Sequence, residues 1–375
     1  MILRALENKI RGELYKGKAI ILFGPRQVGK TTLVKSISNS SGHLVKWLNG
    51  DESDVRDLFI KPSSTGLKQL AGGAKILVID EAQRIRNIGL ALKLLIDNYP
   101  QIQVIATGSS SFELANEIKE PLTGRKFEHF LFPLSFSELV DNSGLLEEKR
   151  LLNHRLIFGS YPEVLNNPGI EQKILSSLAD SYLYKDILVW KSIKKPQALE
   201  KLLKTLAFQI GSEVSYHELA QLSGLDSHTV ENYIDILQKA FIVYKVHGLY
   251  RNMRNELKKS KKIYFFDNGI RNAIIANFNM PENRNDNGAL WENYLFSERL
   301  KYTHYNNIYL NRYFWRSKTK QEIDLIEERE GKLFAYEMKW NPKASYRFPK
   351  AFKESYPEHE TKIVSSDNYD QFLGT

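Results

Sequence analysis

The sequence predicts an α/β protein whose first part is a parallel sheet covered by helices. Three observations carry this prediction. Short apolar runs alternate with segments of helical spacing between Lys18 and Ala106, a glycine-rich loop follows the first run, and two acidic residues end a later one. The 375 residues correspond to two or three domains of ordinary size. Because the pattern changes twice further along, we expect three domains, at 1–190, 191–266 and 267–375.

Composition excludes several classes of protein. An apolar fraction of 42% and a charged fraction of 26% are typical of folded, water-soluble chains. Cysteine is absent, which excludes disulfides, thiol catalysis and zinc sites built from cysteine. No segment approaches the roughly 20 apolar residues of a membrane helix, and the charged first 18 residues do not resemble a signal peptide. We therefore expect a cytoplasmic protein with no membrane partner.

The glycine-rich loop matches the pattern G-x-x-x-x-G-K-[ST]. An apolar run precedes it at 18–23, and a helix-like run follows at 32–37. In such loops backbone N–H groups surround phosphates, the lysine reaches the β- and γ-phosphates, and the hydroxyl binds Mg²⁺. A chance turn is a weak alternative because motif and context agree. We expect ATP and Mg²⁺ here, with Thr31 on the metal and the nucleotide bound by Gly24, Pro25, Arg26, Gln27, Val28, Gly29, Lys30, Thr31 and Thr32.

Polar side chains end two further strands of the predicted sheet. The run at 75–79 leads into Asp80 and Glu81, and the run at 101–106 leads into Thr107 and Ser109. We expect Asp80 to hold Mg²⁺ and Glu81 to polarise the attacking water. Thr107 and Ser109 are placed to sense the γ-phosphate. Alternatively, a serine of this stretch caps the next helix, and both roles are compatible.

Four strings carry a family resemblance: GPRQVGKTTL, LVIDEAQ, ATGSSSFEL and LTGRKFEHFLFPLSFSEL. Together they resemble archaeal and bacterial AAA+-type ATPases, in which an ATPase domain precedes a family-specific C-terminal region. The resemblance implies a Mg²⁺-dependent ATPase and adds Gln83 and Arg125 to its site. It implies that Arg125 acts as an arginine finger, either within its own chain or across the interface of a homo-oligomer. The alternative for Arg125 is a structural ion pair.

The middle of the chain has the pattern of a winged helix-turn-helix. Leucines at helical spacing begin at Leu199, Ser215 precedes a short helix that stops at Gly224, and Ser227 is positioned to cap the next helix. Two β-rich runs follow, at 241–246 and 262–266. The candidate recognition helix, from Ser227 to Gln238, contains no lysine or arginine. The alternative is a winged helix that docks a protein.

Positive charge is concentrated beside this helix. The chain has 53 basic and 44 acidic residues, a net charge of +9. Between Lys245 and Lys262, seven basic residues accompany one acidic residue, Glu256: Lys245, Arg251, Arg254, Lys258, Lys259, Lys261 and Lys262. This basic segment predicts phosphate contacts to double-stranded DNA without base readout. The alternative is a solvated loop.

The last part of the chain resembles the PD-(D/E)XK nuclease superfamily. Asp324 lies on one predicted strand, Glu337 and Lys339 lie on the next, and Glu292 lies on a preceding helix. This resemblance implies a restriction-endonuclease-like α/β domain. Three carboxylates, Glu292, Asp324 and Glu337, would hold Mg²⁺ beside a phosphodiester, and Lys339 would activate water. The proline that names the motif is replaced by Ile323. The alternative is a cluster of surface ion pairs.

Three functions fit these patterns. The first is an ATPase that acts on or regulates DNA through the winged helix and the nuclease-like domain. The second is a nucleotide-dependent switch whose C-terminal region binds a protein partner and has no nuclease activity. The third is a metal nuclease that cleaves without ATP, with the first domain as a sensor.

Overall fold

The chain divides into two compact units. A computed structural model describes residues 2–109, 118, 121–181, 193, 195–249 and 260–375. The N-terminal unit comprises residues 1–134 and 239–241, and the C-terminal unit comprises 135–238 and 242–375. Within the described residues, no helix combines the length and the apolar character needed to cross a membrane.

A five-stranded sheet forms the centre of the N-terminal unit. All its strand pairs are parallel, and the spatial order is β2-β3-β4-β1-β5. The strands are β1 (Ala19–Phe23), β2 (Val45–Asn49), β3 (Ile76–Asp80), β4 (Gln103–Gly108) and β5 (Lys126–Phe130). Strand β1 lies between β4 and β5, and all its residues are buried, which accounts for its continuous apolar run.

Helices alternate with these strands, as the spacing of apolar residues predicts. Within the described residues they are α1 (Leu6–Glu13), α2 (Lys30–Asn39), α3 (Ser53–Asp57), α4 (Ser64–Ala71) and α5 (Ile88–Asn98). The prediction of an α/β fold with a parallel sheet is therefore confirmed. Because all the strands run the same way, the loops that leave their carboxyl ends meet at one edge, where ligands of such sheets bind.

The C-terminal unit begins with a set of helices. Those before the second sheet are α6 (Phe136–Ser143), α7 (Leu145–Arg150), α8 (Leu152–Phe158), α9 (Pro162–Asn166), α10 (Glu171–Ser181), α11 (Pro196–Phe208), α12 (Tyr216–Ser223) and α13 (Ser227–Lys239). Helix α11 buries Leu199, Leu202, Leu203 and Leu206 on one face, as their spacing predicts. Helix α12 ends at Gly224, whose φ of 73° is left-handed.

The N-terminal cap of α13 differs from our expectation. Asp226, and not Ser227, accepts the backbone N–H of Thr229 at 2.9 Å and also its hydroxyl. These hydrogen bonds lower the pKa of the Asp226 carboxyl. At α12, by contrast, the N–H of Glu218 donates to the hydroxyl of Ser215, the residue that precedes this helix in the predicted pattern. At α13 the carboxylate of Asp226 takes the place expected for Ser227, because a charged acceptor binds the backbone N–H more strongly than a hydroxyl does.

A seven-stranded sheet completes this unit, in the order β12-β11-β10-β9-β7-β8-β6. Its strands are β6 (Glu213–Val214), β7 (Val243–Gly248), β8 (Lys261–Phe265), β9 (Asn311–Arg316), β10 (Glu322–Arg329), β11 (Lys332–Lys339) and β12 (His359–Ser365). The remaining helices are α14 (Asn268–Ile274), α15 (Asn287–Tyr305), α16 (Lys350–Ser355) and α17 (Tyr369–Phe372). Strands expected in two domains, 191–266 and 267–375, thus share one sheet. The three-domain division stays a prediction.

Gly159 joins two helices in the C-terminal unit. Its φ is 68°, and a Cβ atom there would lie 2.0 Å from Oδ1 of Asp267. Asp267 accepts the N–H of Ser160 at 2.8 Å and that of Ile270 at 3.2 Å, so it connects this turn to the start of α14. The fixed contact explains the glycine.

We predict that Gly159→Ala lowers the free energy of unfolding by at least about 3 kcal/mol, from strain in the left-handed backbone and from overpacking against Asp267. Gly169→Ala is the matched control, because Gly169 also has a positive φ, 94°, but nothing lies near its missing Cβ. The control should cost only roughly 1–2 kcal/mol. Urea unfolding followed by tryptophan fluorescence measures both, and equal losses would contradict the contact with Asp267.

Candidate functional site

The glycine-rich loop leads directly from β1 into α2. Two of its glycines have positive φ, 155° at Gly24 and 95° at Gly29. A Cβ atom at Gly24 would lie 2.1 Å from the carbonyl oxygen of Leu131, so no larger residue fits there without movement. Gly29 immediately precedes the first turn of α2, whose free N–H groups and dipole favour an anion. The loop therefore has the shape that a phosphate requires.

Lys30 is buried inside this loop, with an exposed fraction of 5%. Its Nζ donates to the carbonyl oxygen of Gly24 at 2.8 Å and to that of Pro25 at 2.7 Å. Carbonyl oxygens satisfy hydrogen bonds of the ammonium group but do not neutralise its charge. An anionic phosphate can therefore take over these bonds with a gain in electrostatic energy.

Thr31, Asp80 and Thr107 meet at the carboxyl edge of the sheet. The hydroxyl of Thr31 donates to Oδ2 of Asp80 at 2.9 Å, and the hydroxyl of Thr107 donates to Oδ1. The backbone N–H of Glu81 in turn donates to the Thr107 hydroxyl at 3.3 Å. A hydroxyl and a carboxylate side by side are oxygen ligands that suit Mg²⁺. The residues present therefore fit a nucleotide-bound magnesium ion at Thr31 and Asp80.

Glu81 follows Asp80 with a left-handed backbone, φ 50°. Its Oε2 accepts a hydrogen bond from Nε2 of Gln83 at 2.5 Å and one from the hydroxyl of Ser109 at 3.2 Å. Nε2 of Gln83 also donates to Ser109 at 3.0 Å. The structure thus brings together Glu81, Gln83 and Ser109, all predicted for this site. In the string ATGSSSFEL, residues 110–114 lie outside the described part of the chain.

Sequence patterns missed Arg4, which lies before β1. Its guanidinium donates from one nitrogen to the carbonyl oxygen of Val28 at 2.5 Å and from the other to that of Phe132 at 2.7 Å. The side chain is buried, so these bonds fix the loop from behind. No local pattern marks this residue, because its partners lie 24 and 128 positions away.

Gly50, at the end of β2, was missed for a different reason. Its N–H donates to the carbonyl oxygen of Asp80 at 2.8 Å, and a Cβ atom would lie 2.4 Å from the carbonyl oxygen of Glu81. The signal that could have identified Gly50 is a glycine directly after a short run of strand-forming residues. A glycine is needed there because the backbones at Gly50 and Glu81 approach each other closely.

Arg125 is not brought to this site. It directly precedes β5, and the N–H of Ala19, the first residue of β1, donates to its carbonyl oxygen at 2.9 Å. Arg125 therefore lies at the amino edge of the sheet, opposite the glycine-rich loop. Its Nε donates to Oδ1 of Asp97 at 2.6 Å, so the alternative of an ion pair is what the structure contains. A cis arginine finger does not fit this placement.

A second cluster of charges lies in the C-terminal unit, around the hairpin of β10 and β11. Leu325 pairs with Tyr336, a register that sets Asp324 beside Glu337. Oδ2 of Asp324 accepts the N–H of Met338 at 2.8 Å. Nζ of Lys339 donates to Oε1 of Glu337 at 2.6 Å. The two strands are as predicted.

Glu292 reaches this cluster from α15, as predicted. Its Oε1 accepts the hydroxyl of Tyr264 at 2.5 Å and Nζ of Lys262 at 3.0 Å. Lys262 also pairs with Glu322. Lys262 is only 1% exposed, so its assignment to a solvent-facing phosphate-binding segment is wrong. We refer below to Glu292, Glu322, Asp324 and Glu337 as the carboxylate cluster.

Burial and mutual repulsion dominate the electrostatics of the carboxylate cluster. Burial, Glu292 and Glu337 together raise the pKa of the Asp324 carboxyl well above its usual value, against the opposing charge of Lys262. Burial also raises the pKa of Glu337. Within the described part of the chain, no group of three or more His, Asp or Glu side chains is arranged to hold a metal ion. The Mg²⁺ expected at Glu292, Asp324 and Glu337 stays a prediction that this arrangement does not favour.

The rest of the basic segment is also partly neutralised. Lys245 pairs with Asp235 of α13. Lys261 lies 3.7 Å from Glu231 of α13, and its Nζ lies 3.9 Å from the ring centre of Tyr216. The acidic residues of the candidate recognition helix thus bind the lysines of the neighbouring strands. The other four basic residues lie outside the described part of the chain: Arg251, Arg254, Lys258 and Lys259.

Three family models match the chain one after another. Residues 16–140 match an AAA domain, residues 149–281 match a domain of unknown function, DUF8612, and residues 287–373 match another, DUF4143. The sheet, the glycine-rich loop and this match together define the class: the chain carries an AAA-type domain with a P-loop. The predicted kinship with AAA-type proteins is confirmed at this level.

Relatives and solved structures add little about function. Uncharacterized proteins of Mycobacterium tuberculosis and of Methanocaldococcus jannaschii are 26% and 23% identical, and the matches cover 88% of this chain and 72% and 76% of theirs. The Thermotoga maritima RuvB Holliday junction branch migration motor is 17% identical over 65% of this chain and 89% of its own, with a TM-score of 0.33. A DNA replication initiation factor is 16% identical over 62% and 86%, with a TM-score of 0.26. Scores this low carry no argument.

We predict that Arg4→Met weakens nucleotide binding about tenfold, because loss of one charged hydrogen bond of roughly 1.5–3 kcal/mol loosens the loop at Val28. Arg11→Met is the control, since Arg11 lies on α1 and its guanidinium binds Glu7 and Ser40 but not the loop. Titration with a fluorescent ATP analogue measures the affinity. Equal affinities of the two variants would show that Arg4 does not position the loop.

Proposed function

We propose that the N-terminal unit binds ATP with Mg²⁺ and hydrolyses it. One observation carries the proposal: Asp80 accepts hydrogen bonds from both Thr31 and Thr107, beside the loop that holds Lys30. A match to a phosphate-binding pattern alone would leave open whether the second half of a hydrolytic site is present. The geometry supports both halves at one edge of one sheet.

Each side chain then has a role that its contacts support. Lys30 transfers its hydrogen bonds from the loop carbonyls to the β- and γ-phosphates. Thr31 and Asp80 would hold Mg²⁺, which would supply positive charge to the phosphates. Glu81 polarises that water, while Gln83 and Ser109 orient its carboxylate. Thr107 keeps Asp80 in position.

Arg125 contributes to hydrolysis only if a second copy of the chain presents it. Its place at the amino edge separates it from the loop of its own chain, and both it and Asp97 are more than a third exposed. An exposed ion pair is weak, so Arg125 can exchange Asp97 for a phosphate of a neighbouring molecule at little cost. We therefore propose a homo-oligomer as the active form.

We further propose that the C-terminal unit contacts DNA through phosphates, using a winged helix and a nuclease-like fold. The order of α11, α12, α13, β7 and β8 supports the first, and the hairpin of β10 and β11 with Asp324 and Glu337 supports the second. The contact rests on the four basic residues at 251, 254, 258 and 259, because Lys245, Lys261 and Lys262 have carboxylate partners. Base readout is not part of this proposal.

The pairing within α13 and its neighbouring strands also favours the second candidate function. A helix whose acidic residues already bind lysines of its own unit presents little free positive charge to DNA. In this alternative the C-terminal unit binds a protein partner, and ATP acts as a switch without nuclease activity. A cytoplasmic location suits either function.

We predict that Lys30→Ala abolishes ATP turnover and that Glu81→Gln retains ATP binding but slows hydrolysis by about 10²–10⁴-fold, since the water loses its polarising group. Phosphate release and retention of radiolabelled ATP on filters separate the two effects. The control is Glu128→Gln, an exposed carboxylate on β5 that binds Lys126 and lies outside the site. Wild-type turnover by Glu81→Gln would remove Glu81 from its proposed role.

We predict that charge reversal at Lys258 and Lys259 reduces the magnitude of the negative slope of log K against log salt for DNA binding by about 2, because each lost phosphate contact removes roughly 0.9. Filter binding at several salt concentrations, with and without ATP, gives the slope. Reversal of Lys332 and Lys350, two lysines paired with glutamates elsewhere in the unit, is the charge-matched control. No binding by the wild type, or equal slopes for both variants, would favour the protein-partner alternative.

A further inference from the structure

Lys262 is a deeply buried lysine that has no role in the nucleotide site. It lies on β8, an interior strand between β7 and β6, and its side chain points into the carboxylate cluster. Its Nζ donates to Oε1 of Glu292 at 3.0 Å and pairs with Glu322 as well. One side chain therefore joins α15 to β10 through a single ammonium group. With an exposed fraction of 1%, it is among the most deeply buried lysines of the described residues.

A buried ammonium group has strict requirements. Lysine is almost never fully buried unless paired, because water otherwise solvates its charge far better than protein does. The group has three N–H donors and no acceptor, so it needs oxygen atoms around it. The carboxylate cluster supplies them, and Glu322 is held on its other side by Arg316, whose Nε lies 3.5 Å from Oε2.

The partners of the other cluster members are equally defined. Glu337 binds the ammonium group of Lys339, and Asp324 accepts the backbone N–H of Met338. Tyr264 occupies the oxygen of Glu292 that also faces Lys262. Cations and donors of the chain itself thus bind one oxygen each of Glu292, Asp324 and Glu337, whereas Oε2 of Glu337 is buried without a hydrogen-bond partner. A Mg²⁺ ion placed among them would meet two ammonium groups at close range and be repelled.

We propose that the ammonium group of Lys262 takes the place of a divalent metal ion in the carboxylate cluster. While Lys262 binds Glu292 and Glu322, the C-terminal unit takes up no metal ion there. The Mg²⁺ implied by the D…E-x-K resemblance therefore does not fit the residues present. In this proposal the nuclease-like hairpin is a structural element, and a contact with DNA is binding without metal-dependent cleavage. The inference is independent of the nucleotide site.

The neighbouring residue provides a matched control. Lys261 precedes Lys262 on the same strand, so its side chain lies on the opposite face of the sheet. There it contacts Glu231 and the ring of Tyr216, away from the carboxylate cluster. Replacing either lysine by methionine removes one charge and keeps a similar length. Only the change at Lys262 removes the ammonium group that joins Glu292 to Glu322.

The test is a Mn²⁺ titration of the full chain without nucleotide, with free Mn²⁺ followed by electron paramagnetic resonance. We expect Lys262→Met to gain one Mn²⁺ site per chain that the wild type lacks. Adding Asp324→Asn to Lys262→Met should remove that site again. Lys261→Met should behave as the wild type. A folded Lys262→Met, checked by circular dichroism, that gains no such site would overturn the proposal.

A second measurement does not depend on how well Lys262→Met folds. In the otherwise wild-type chain, Asp324→Asn and Glu337→Gln should leave the number of bound Mn²⁺ ions unchanged. Loss of one site in these variants would mean that the carboxylate cluster binds metal beside Lys262, which contradicts the proposal. Because nucleotide is absent throughout, failure of the ATPase proposal would not alter either result.

Discussion

Buried cations in both units are held by oxygen atoms of other residues, several of them distant in the sequence. Lys30 and Arg4 bind backbone carbonyls around the glycine-rich loop, and Lys262 binds carboxylates from α15 and β10. In the C-terminal unit Arg299 forms a bidentate pair with Glu327, and Arg155 forms another with Glu148. An unpaired buried charge costs several kcal/mol, so these contacts constrain which helices and strands can pack together.

The charge of the partner decides what each buried lysine can do. Lys30 donates hydrogen bonds to neutral carbonyl oxygens of the loop, and an anion such as a phosphate can take over these bonds. Lys262 is surrounded by carboxylates that already compensate it, and a phosphate would be repelled by the same groups. Lys30 and Lys262 are both buried but have different roles. Lys30 binds a ligand in the N-terminal unit, whereas Lys262 neutralises carboxylates within the C-terminal unit.

Local patterns predicted most of the elements and most of the side chains at the nucleotide edge. The strand at 19–23 and the loop are contiguous in sequence, and β3 ends directly in two acidic residues, so each of these features is recognised locally. The assignment of Lys262 failed because counting charges cannot tell which of two adjacent lysines faces the interior. That depends on the register of β8 with β6 and β7, which pairs residues far apart in the chain. Arg4 was missed because its partners, Val28 and Phe132, also lie far from it in the chain.

The placement of Arg125 shows where a motif stops being informative. A string such as LTGRKFEHF identifies an arginine directly before a strand, but the function of that arginine depends on which edge of the sheet the strand begins from. Parallel strands all begin at one edge and deliver their ligand-binding residues at the other. A residue before β5 is therefore on the side opposite Asp80 and Glu81, whatever its chemistry. Only a second molecule can bring such a guanidinium to the phosphates, which makes assembly a condition of any role in hydrolysis.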